Sequence, residues 1–136
     1  DTEDLHEKTV RTLESTMEKT RENTGLVLNL ALSYGSRSEL VRAAQRAMEK
    51  ARNGEMAPED LNAENFAQLL DHPELGDPDL LIRTSGEMRV SNFLLWQIAY
   101  AEFVITPVLW PDFRRPDFFR SLLEFQGRDR RFGGVR

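Results

Sequence analysis

Two arginines and a serine follow a predicted strand at short intervals. Arg83 ends the strand predicted at 79–83, Arg89 lies six residues further on, and Ser91 stands where the next helix is predicted to begin. In open α/β sheets, ligands bind outside the carboxyl ends of the strands. The free N–H groups of a helix start and the forked guanidinium groups both suit phosphate oxygens. The spacing therefore predicts an anion site of the phosphate type.

The same residues also allow a purely structural interpretation. Arg83 would pair with Glu87, Arg89 would be exposed to solvent, and Ser91 would only cap the following helix. Capping serines and surface arginines are common in globular proteins. Residue types and spacing alone leave both interpretations open.

A second candidate is a single carboxylate in otherwise apolar sequence. Glu102 lies where the predicted helix meets the next predicted strand. Carboxylates are rarely buried unless they are paired or coordinate a metal. A magnesium ion held by one or two carboxylates and by diphosphate oxygens would fit this position. A glutamate that faces solvent at a helix end is an equally good interpretation.

The C-terminal tail is basic although the chain as a whole is acidic. Its last nine residues contain four arginines and one aspartate. Arg131 and the backbone of Gly133 are candidates for contacting a phosphate, for instance in a neighbouring subunit. The alternative is a solvated terminus, which is where disorder usually concentrates.

Composition limits the classes of function. The 136 residues are 40% apolar and 30% charged, the range of one globular domain, and the net charge of −5 argues against a general nucleic-acid binder. There is no cysteine, which excludes disulfides and thiolate metal sites. The charged first residues do not resemble a secretory signal, and the apolar stretch 93–111 is interrupted by polar residues and prolines. We therefore expect a cytoplasmic protein.

Helices and strands alternate along the chain. The apolar periodicity predicts helices over 3–22, 37–52, 62–71, 91–101 and 116–125, and strands over 26–32, 79–83 and 103–105. The continuous apolar run at 26–32 is typical of a strand buried on both faces of a parallel sheet. The fold class predicted is α/β, with parallel-sheet layers and helices on both faces.

The start of the second helix has its own signal. Ser36 and Glu39 have the spacing of a capping box. The apolar residues of this helix that are predicted to face the core are Leu40, Ala44, Ala47, Met48 and Ala51.

Several ordered motifs closely resemble the cis-prenyltransferases, and among them the bacterial undecaprenyl diphosphate synthases. The matching segments are 29–37, ending in YGSR, 79–87 (DLLIRTSGE), 89–97 (RVSNFLLWQ), 109–113 (LWPDF) and 130–134 (RRFGG). The resemblance implies a magnesium-dependent homodimer that condenses isopentenyl diphosphate with an allylic prenyl diphosphate. Its product would be a cis-polyprenyl diphosphate, a lipid carrier that makes peripheral membrane contact plausible.

The resemblance also implies roles for individual residues. The positions matching those that bind isopentenyl diphosphate are Arg83, Arg89 and Ser91, with Val90 in the same loop. Glu102 matches the family's glutamate that helps to hold magnesium. Arg131 and Gly133 match the arginine-x-glycine motif that completes the diphosphate site of the neighbouring subunit.

The resemblance covers the second half of a family member. The family's Asp-Gly-Asn motif, which provides the main magnesium and catalytic carboxylate, and its allylic site have no counterpart in this sequence. Residues 1–136 are thus expected to form the C-terminal half of a single cis-prenyltransferase domain, to contain no catalytic residue, and to be inactive in isolation. The alternative is a non-catalytic accessory subunit of a cis-prenyltransferase complex.

Overall fold

The computed structural model describes residues 5–129, and the chain divides into one compact unit that ends at Gly35 and another that begins at Ser36. In the first unit, α1 spans Glu7–Thr20, inside the helix predicted at 3–22. Three threonines of α1 donate their hydroxyl hydrogens to the carbonyl four residues earlier. The helix carries no buried residue.

The strand predicted at 26–32 is not formed. The segment has no regular secondary structure and belongs to no sheet in the described residues, and Leu26 is 94% exposed. A strand needs a neighbouring strand to pair with its N–H and C=O groups. The apolar run is real, but the partners that would turn it into a buried strand are not among residues 5–129.

The second unit contains the remaining regular elements. Its helices are α2 (Ser36–Arg52), α3 (Ala63–Ala67) and α4 (Arg115–Gln126), and its strands are β1 (Leu80–Arg83) and β2 (Glu102–Ile105). Single 3-10 turns occupy Pro58–Asp60, Pro73–Leu75 and Trp110–Asp112. The predictions for α2, α4 and both strands are confirmed. No helix within residues 5–129 has the length and hydropathy that crossing a bilayer requires.

The third helix is shorter than the predicted 62–71. Asn62 and Asn65 form a reciprocal capping box at its start. The N–H groups of Leu69 and Leu70 bond to carbonyls three residues back rather than four. The chain therefore tightens into a turn after Ala67 instead of continuing as an α-helix.

The two strands form a parallel pair. Leu80 lies opposite Glu102 and Arg83 lies opposite Ile105, and α4 packs against β2. This arrangement confirms the α/β fold class, although the sheet in the described residues holds two strands rather than three. Helices on both faces of the sheet stay a prediction. Because the strands are parallel, residues 84–101 must carry the chain back from the end of β1 to the start of β2.

The helix predicted at 91–101 is wrong. Ser91, Asn92 and Leu94 have positive φ values of 55°, 61° and 46°, which lie in the left-handed region. The segment continues as a series of turns up to Tyr100. The apolar residues of this segment match a helical period, but tertiary hydrogen bonds to α2 determine its backbone instead.

The core of the second unit lies between α2 and the segment after α3. Its buried members are Ala43, Ala47, Leu69 and Leu70, with Leu40, Met56, Phe66 and Trp96 packed around them. The rings of Phe66 and Trp96 have centroids 4.8 Å apart. Two of the core positions predicted in α2 are wrong: Ala44 and Met48 are exposed, the latter by 72%.

Glu39 is buried in this core and only 1% exposed. Its Oε1 accepts hydrogen bonds from the backbone N–H of Asp71 at 3.0 Å and from Nε2 of Gln97 at 3.1 Å. Ser36 is the first residue of α2 and its Oγ accepts from the backbone N–H of Leu95, and the capping box of Ser36 and Glu39 stays a prediction. The carboxylate connects three segments that are distant in sequence.

A second polar cluster lies at the edge of the same core. Asp71 accepts from Arg42 and, at 2.9 Å, from Arg46, which also donates to the carbonyl of Leu69. Partial burial acts to raise the pKa of Asp71, but the hydrogen bonds and charges of the two arginines outweigh it. The pKa of Asp71 is consequently lower than its usual value.

Replacing the buried carboxylate tests its structural role. Glu39→Ala should lower the free energy of unfolding by about 2–3 kcal/mol, because it leaves two buried donors without an acceptor. Urea unfolding followed by circular dichroism measures this change. Glu49→Ala, on the exposed side of the same helix, is the matched control and should change stability by less than about 0.5 kcal/mol. Equal effects of the two variants would contradict the role given to Glu39.

The lowered pKa of Asp71 makes a prediction about acid stability. A carboxylate whose pKa is lower in the folded state stabilises the protein fully above its unfolded pKa of about 3.9 and loses that contribution as the pH falls through the folded value. The stability advantage of the wild type over Asp71→Asn should therefore be full above about pH 5 and shrink below about pH 4. Urea unfolding at a series of pH values measures it, and a constant difference from pH 7 to pH 3 would refute this explanation.

Candidate functional site

Arg83 and Ser91 come together beside the carboxyl end of β1. Arg83 Nη2 lies 3.4 Å from Ser91 Oγ and donates to it. The Nε–H of Arg83 is buried and has no hydrogen-bond acceptor among the described residues. A buried donor without an acceptor is costly, so this N–H is suited to an oxygen atom of a ligand. The structure thus joins two of the predicted anion-binding residues.

The loop that follows Arg83 is fastened to the residues after β2. Ser85 N donates to the carbonyl of Val108 at 2.8 Å, and Gly86 N donates to the carbonyl of Thr106 at 2.9 Å. Ser85 and Gly86 both have positive φ, which glycine adopts without strain. These backbone bonds hold the start of the loop in place.

Arg89, which in the structural interpretation is free in solvent, forms an ion pair with Glu87. Its Nη1 lies 2.5 Å from Oε2 of Glu87, and its side chain is 71% exposed. The structural interpretation paired Glu87 with Arg83, and that pairing is not the one observed. The exposed ion pair of Arg89 and Glu87 contributes little stability, so a ligand anion can compete for the guanidinium at small cost.

The helix start predicted at Ser91 is absent. Ser91 has a φ of 55°, so it caps no helix, and Val90 before it is half-buried. The anion site predicted from the sequence therefore keeps its arginines and its hydroxyl but loses the helix N-terminus that was to assist them. The first N–H groups of α2, at Ser36 and Arg37, are already bonded to Asn92.

Glu102 lies at the other end of the strand pair. It opens β2 opposite Leu80, whereas Arg83 closes β1 opposite Ile105. Three residues along a strand correspond to about 10 Å between these two levels of the ladder. The structure does not bring Glu102 into the cluster of Arg83 and Ser91.

The carboxylate of Glu102 is paired with the first arginine of the basic tail, a partner that the sequence analysis did not predict. Arg128 Nη1 donates to Glu102 Oε2 at 2.9 Å, and its Nη2 donates to Glu124 on α4. The hydrogen bonds that Arg128 donates to Glu102 and then to Glu124 raise the pKa of Arg128, so the guanidinium stays charged. Both predicted environments of Glu102, the metal site and the free solvent-facing position, differ from this ion pair.

The described residues do not form a magnesium site by themselves. Glu102 offers one carboxylate, and Arg128 occupies it. Within residues 5–129, no group of three or more histidine, aspartate or glutamate side chains is arranged to hold a metal ion. Arg131 and Gly133 of the predicted tail motif lie outside the described residues.

Sequence reasoning missed Asn92, whose side chain and backbone both contact the start of α2. The residue type of Asn92 could have indicated this role, because asparagine tolerates the left-handed region and often bonds to nearby backbone. A groove of about 440 Å³ was also not predicted from the sequence, and none of the predicted site residues lines it. Its lining residues are Ala63, Glu64, Ala67, Asp77, Leu95, Trp96, Ala99 and Tyr100.

A double-mutant cycle tests the environment of Glu102. Combining Glu102→Gln with Arg128→Met should give a coupling energy of about 1 kcal/mol, because both side chains are about two-thirds buried. The matched pair, Glu124→Gln with Arg128→Met, should give about 0.3–0.5 kcal/mol, because this i,i+4 pair is more exposed. Urea unfolding of the single and double variants measures both, and zero coupling for the first pair would rule out the observed contact.

Comparison with known proteins identifies the family. The family model described as "Putative undecaprenyl diphosphate synthase" matches residues 1–133. The chain is 53% identical over 127 residues to an isoprenyl transferase of Bacillus thuringiensis subsp. konkukian (strain 97-27) and 51% identical over 127 residues to that of Bacillus subtilis (strain 168). Each match covers 93% of this chain and 49% of the relative, so the chain spans about half the length of these curated relatives.

Solved structures give the same result. The crystal structure of lavandulyl diphosphate synthase from Lavandula x intermedia, in complex with dimethylallyl diphosphate, matches with a TM-score of 0.90 and 36% identity. The match covers 98% of this chain and 58% of that one. The family model, the curated relatives and the solved structure agree, and the chain belongs to the cis-prenyltransferase family.

Proposed function

We propose that the protein is a transferase that condenses isopentenyl diphosphate with an allylic prenyl diphosphate to give a cis-polyprenyl diphosphate of the undecaprenyl type. In this reaction a carbon–carbon bond forms at the allylic carbon while its bond to the diphosphate oxygen breaks, so that inorganic diphosphate leaves, and the isopentenyl unit loses the proton whose bonding pair forms the new double bond. Residues 1–136 provide the isopentenyl diphosphate side of the reaction. The allylic side and the catalytic carboxylate belong to the parts of family members that have no counterpart here.

The observation that carries this proposal is the buried Nε–H of Arg83. It lies in the same side chain that contacts Ser91, and Arg89 follows in the same loop. A diphosphate has several anionic oxygens, and charge-assisted hydrogen bonds to guanidinium groups are shorter and stronger than neutral ones. Arg83 supplies directed donors, Arg89 supplies a second charge that is easily released from Glu87, and Ser91 supplies a hydroxyl.

These residues bind and orient the substrate; they do not carry out the chemistry. Neutralising and fixing the diphosphate of isopentenyl diphosphate leaves its double bond free to attack the allylic carbon. Holding two reactants in the correct relative position is worth several kcal/mol of the barrier, about 7–11 kcal/mol in well-oriented model reactions. Val90 lies between Arg89 and Ser91 in the same loop and is half-buried.

Magnesium, the homodimer and the tail are further parts of the proposal. Glu102 would be one magnesium ligand after it releases Arg128. The described residues form no complete magnesium site, so the other ligands would have to come from outside them. Arg131 and Gly133 would complete the diphosphate site of a second copy. A cytoplasmic location with peripheral membrane contact is consistent with a lipid product. The 136 residues in isolation are still expected to be inactive.

An accessory, non-catalytic subunit is the weaker alternative. Such a subunit would need only the tail to support a partner's active site. The arginine loop is instead complete, with Arg83 and Ser91 in contact and Arg89 held only by an exposed pair. The retention of this loop favours a chain that binds its own substrate.

Substitution of the two arginines in the full-length protein tests the proposal. Arg83→Ala and Arg89→Ala should each raise the KM for isopentenyl diphosphate about tenfold, because each removes a charge-assisted hydrogen bond, while the KM for the allylic substrate stays within about twofold. Steady-state kinetics with each substrate varied in turn measures both values.

Arg52→Ala is the matched control, since Arg52 lies at the end of α2 and pairs only with the exposed Glu49. It should leave both KM values unchanged. Equal effects of Arg89→Ala on the two substrates would argue against an isopentenyl diphosphate site. A wild-type protein without turnover on both diphosphates would favour the accessory subunit.

A further inference from the structure

The segment after Arg89 adopts a backbone that few residues prefer. Ser91, Asn92 and Leu94 all have positive φ, and the cost of left-handed backbone is about 1–2 kcal/mol for an ordinary residue. Asparagine is one of the residues that visit this region readily, whereas serine and leucine are not. Contacts elsewhere in the protein must therefore hold this segment in its observed conformation.

The holding contacts come from the first turn of α2. Asn92 Oδ1 accepts from the backbone N–H of Arg37 at 2.9 Å, and the carbonyl of Asn92 accepts from the N–H of Ser36 at 2.9 Å. Ser36 Oγ in turn accepts from the N–H of Leu95 at 2.9 Å, and Ser36 is fully buried. We call these three hydrogen bonds the Asn92 clamp.

The clamp has a second anchor two residues beyond Leu95. Nε2 of Gln97 donates to the buried carboxylate of Glu39, which lies one helical turn along α2 from Ser36. Both ends of the segment 92–97 are thus attached to the same helix. A helix of 17 residues is a rigid support, so the position of the segment 92–97 is fixed relative to α2.

The position of the clamp links it to the substrate loop. Ser91 directly precedes Asn92, and its hydroxyl is the acceptor for Arg83. The backbone bonds of Asn92 therefore fix where the Ser91 hydroxyl lies. Arg89 is two residues before Ser91, so its main chain is restrained from the same point.

We infer that Asn92 is a positioning residue for the diphosphate loop, which acts by clamping the loop to α2 and so placing Ser91. This inference rests on the proposed function. Asn92 combines the two properties that the position needs, an acceptor for a helix N–H and tolerance of a φ of 61°. It acts on the substrate through Ser91.

The test uses a substitution that removes only one of these properties. Asn92→Gly retains the left-handed backbone and the carbonyl bond to Ser36, but it loses the side-chain acceptor. In the protein as its gene encodes it, isothermal titration with isopentenyl diphosphate should show about fivefold weaker binding, the value expected for one hydrogen bond of about 1 kcal/mol. Binding of the allylic diphosphate should change less than twofold.

A cycle with Ser91→Ala separates positioning from a general structural role. Ser91→Ala alone should weaken isopentenyl diphosphate binding about fivefold, by the same estimate of one hydrogen bond. Adding Asn92→Gly to it should weaken binding by less than about twofold more, because residues that act through one another are not additive. The matched control is Asn53→Gly, at the opposite end of α2, whose side chain bonds only to the exposed Glu55. It should bind like the wild type.

Each outcome decides the inference. It is overturned if Asn92→Gly binds like the wild type, if the double variant shows the full product of the two losses, if Asn53→Gly loses affinity equally, or if Asn92→Gly is unfolded at the assay temperature. A wild-type protein that does not bind isopentenyl diphosphate overturns the proposed function as well. Normal wild-type binding with an unaffected Asn92→Gly overturns the positioning role alone.

Discussion

The second unit depends on one buried charge. Glu39 lies in the first turn of α2, and it receives hydrogen bonds from the segment after α3 and from the segment before β2. A buried carboxylate is tolerated only when it is bonded in this way. By being satisfied from two sides, it fixes the distance between segments that have little regular structure of their own.

The sequence predicts a helix or strand well where the residues of that segment alone determine its structure. The apolar stretches of β1, β2 and α4 are local signals, and the structure confirms these elements. The wrong predictions concern segments whose structure depends on residues far away in the sequence. The run at 26–32 needs partner strands that the described residues do not supply, and the periodicity of 91–101 is overridden by bonds to residues 55 and 59 positions away. No local pattern can show such partners.

The candidate site divides in the same manner. Arg83, Arg89 and Ser91 are candidates that the sequence displays, because arginines and a hydroxyl after a strand are a chemical signal, and their role in binding an anion stays a prediction. Their partners could not be predicted: Glu87 binds Arg89 rather than Arg83, and Arg128 binds Glu102. An ion pair depends on where two backbones approach each other, and the parallel register that sets this approach is a property of the folded chain.

The left-handed segment beyond the arginine loop also constrains how the protein folds. Its shape is set by hydrogen bonds that span more than fifty residues, and closing so long a loop is entropically costly until other contacts exist. The loop therefore acquires its shape only once α2 has docked.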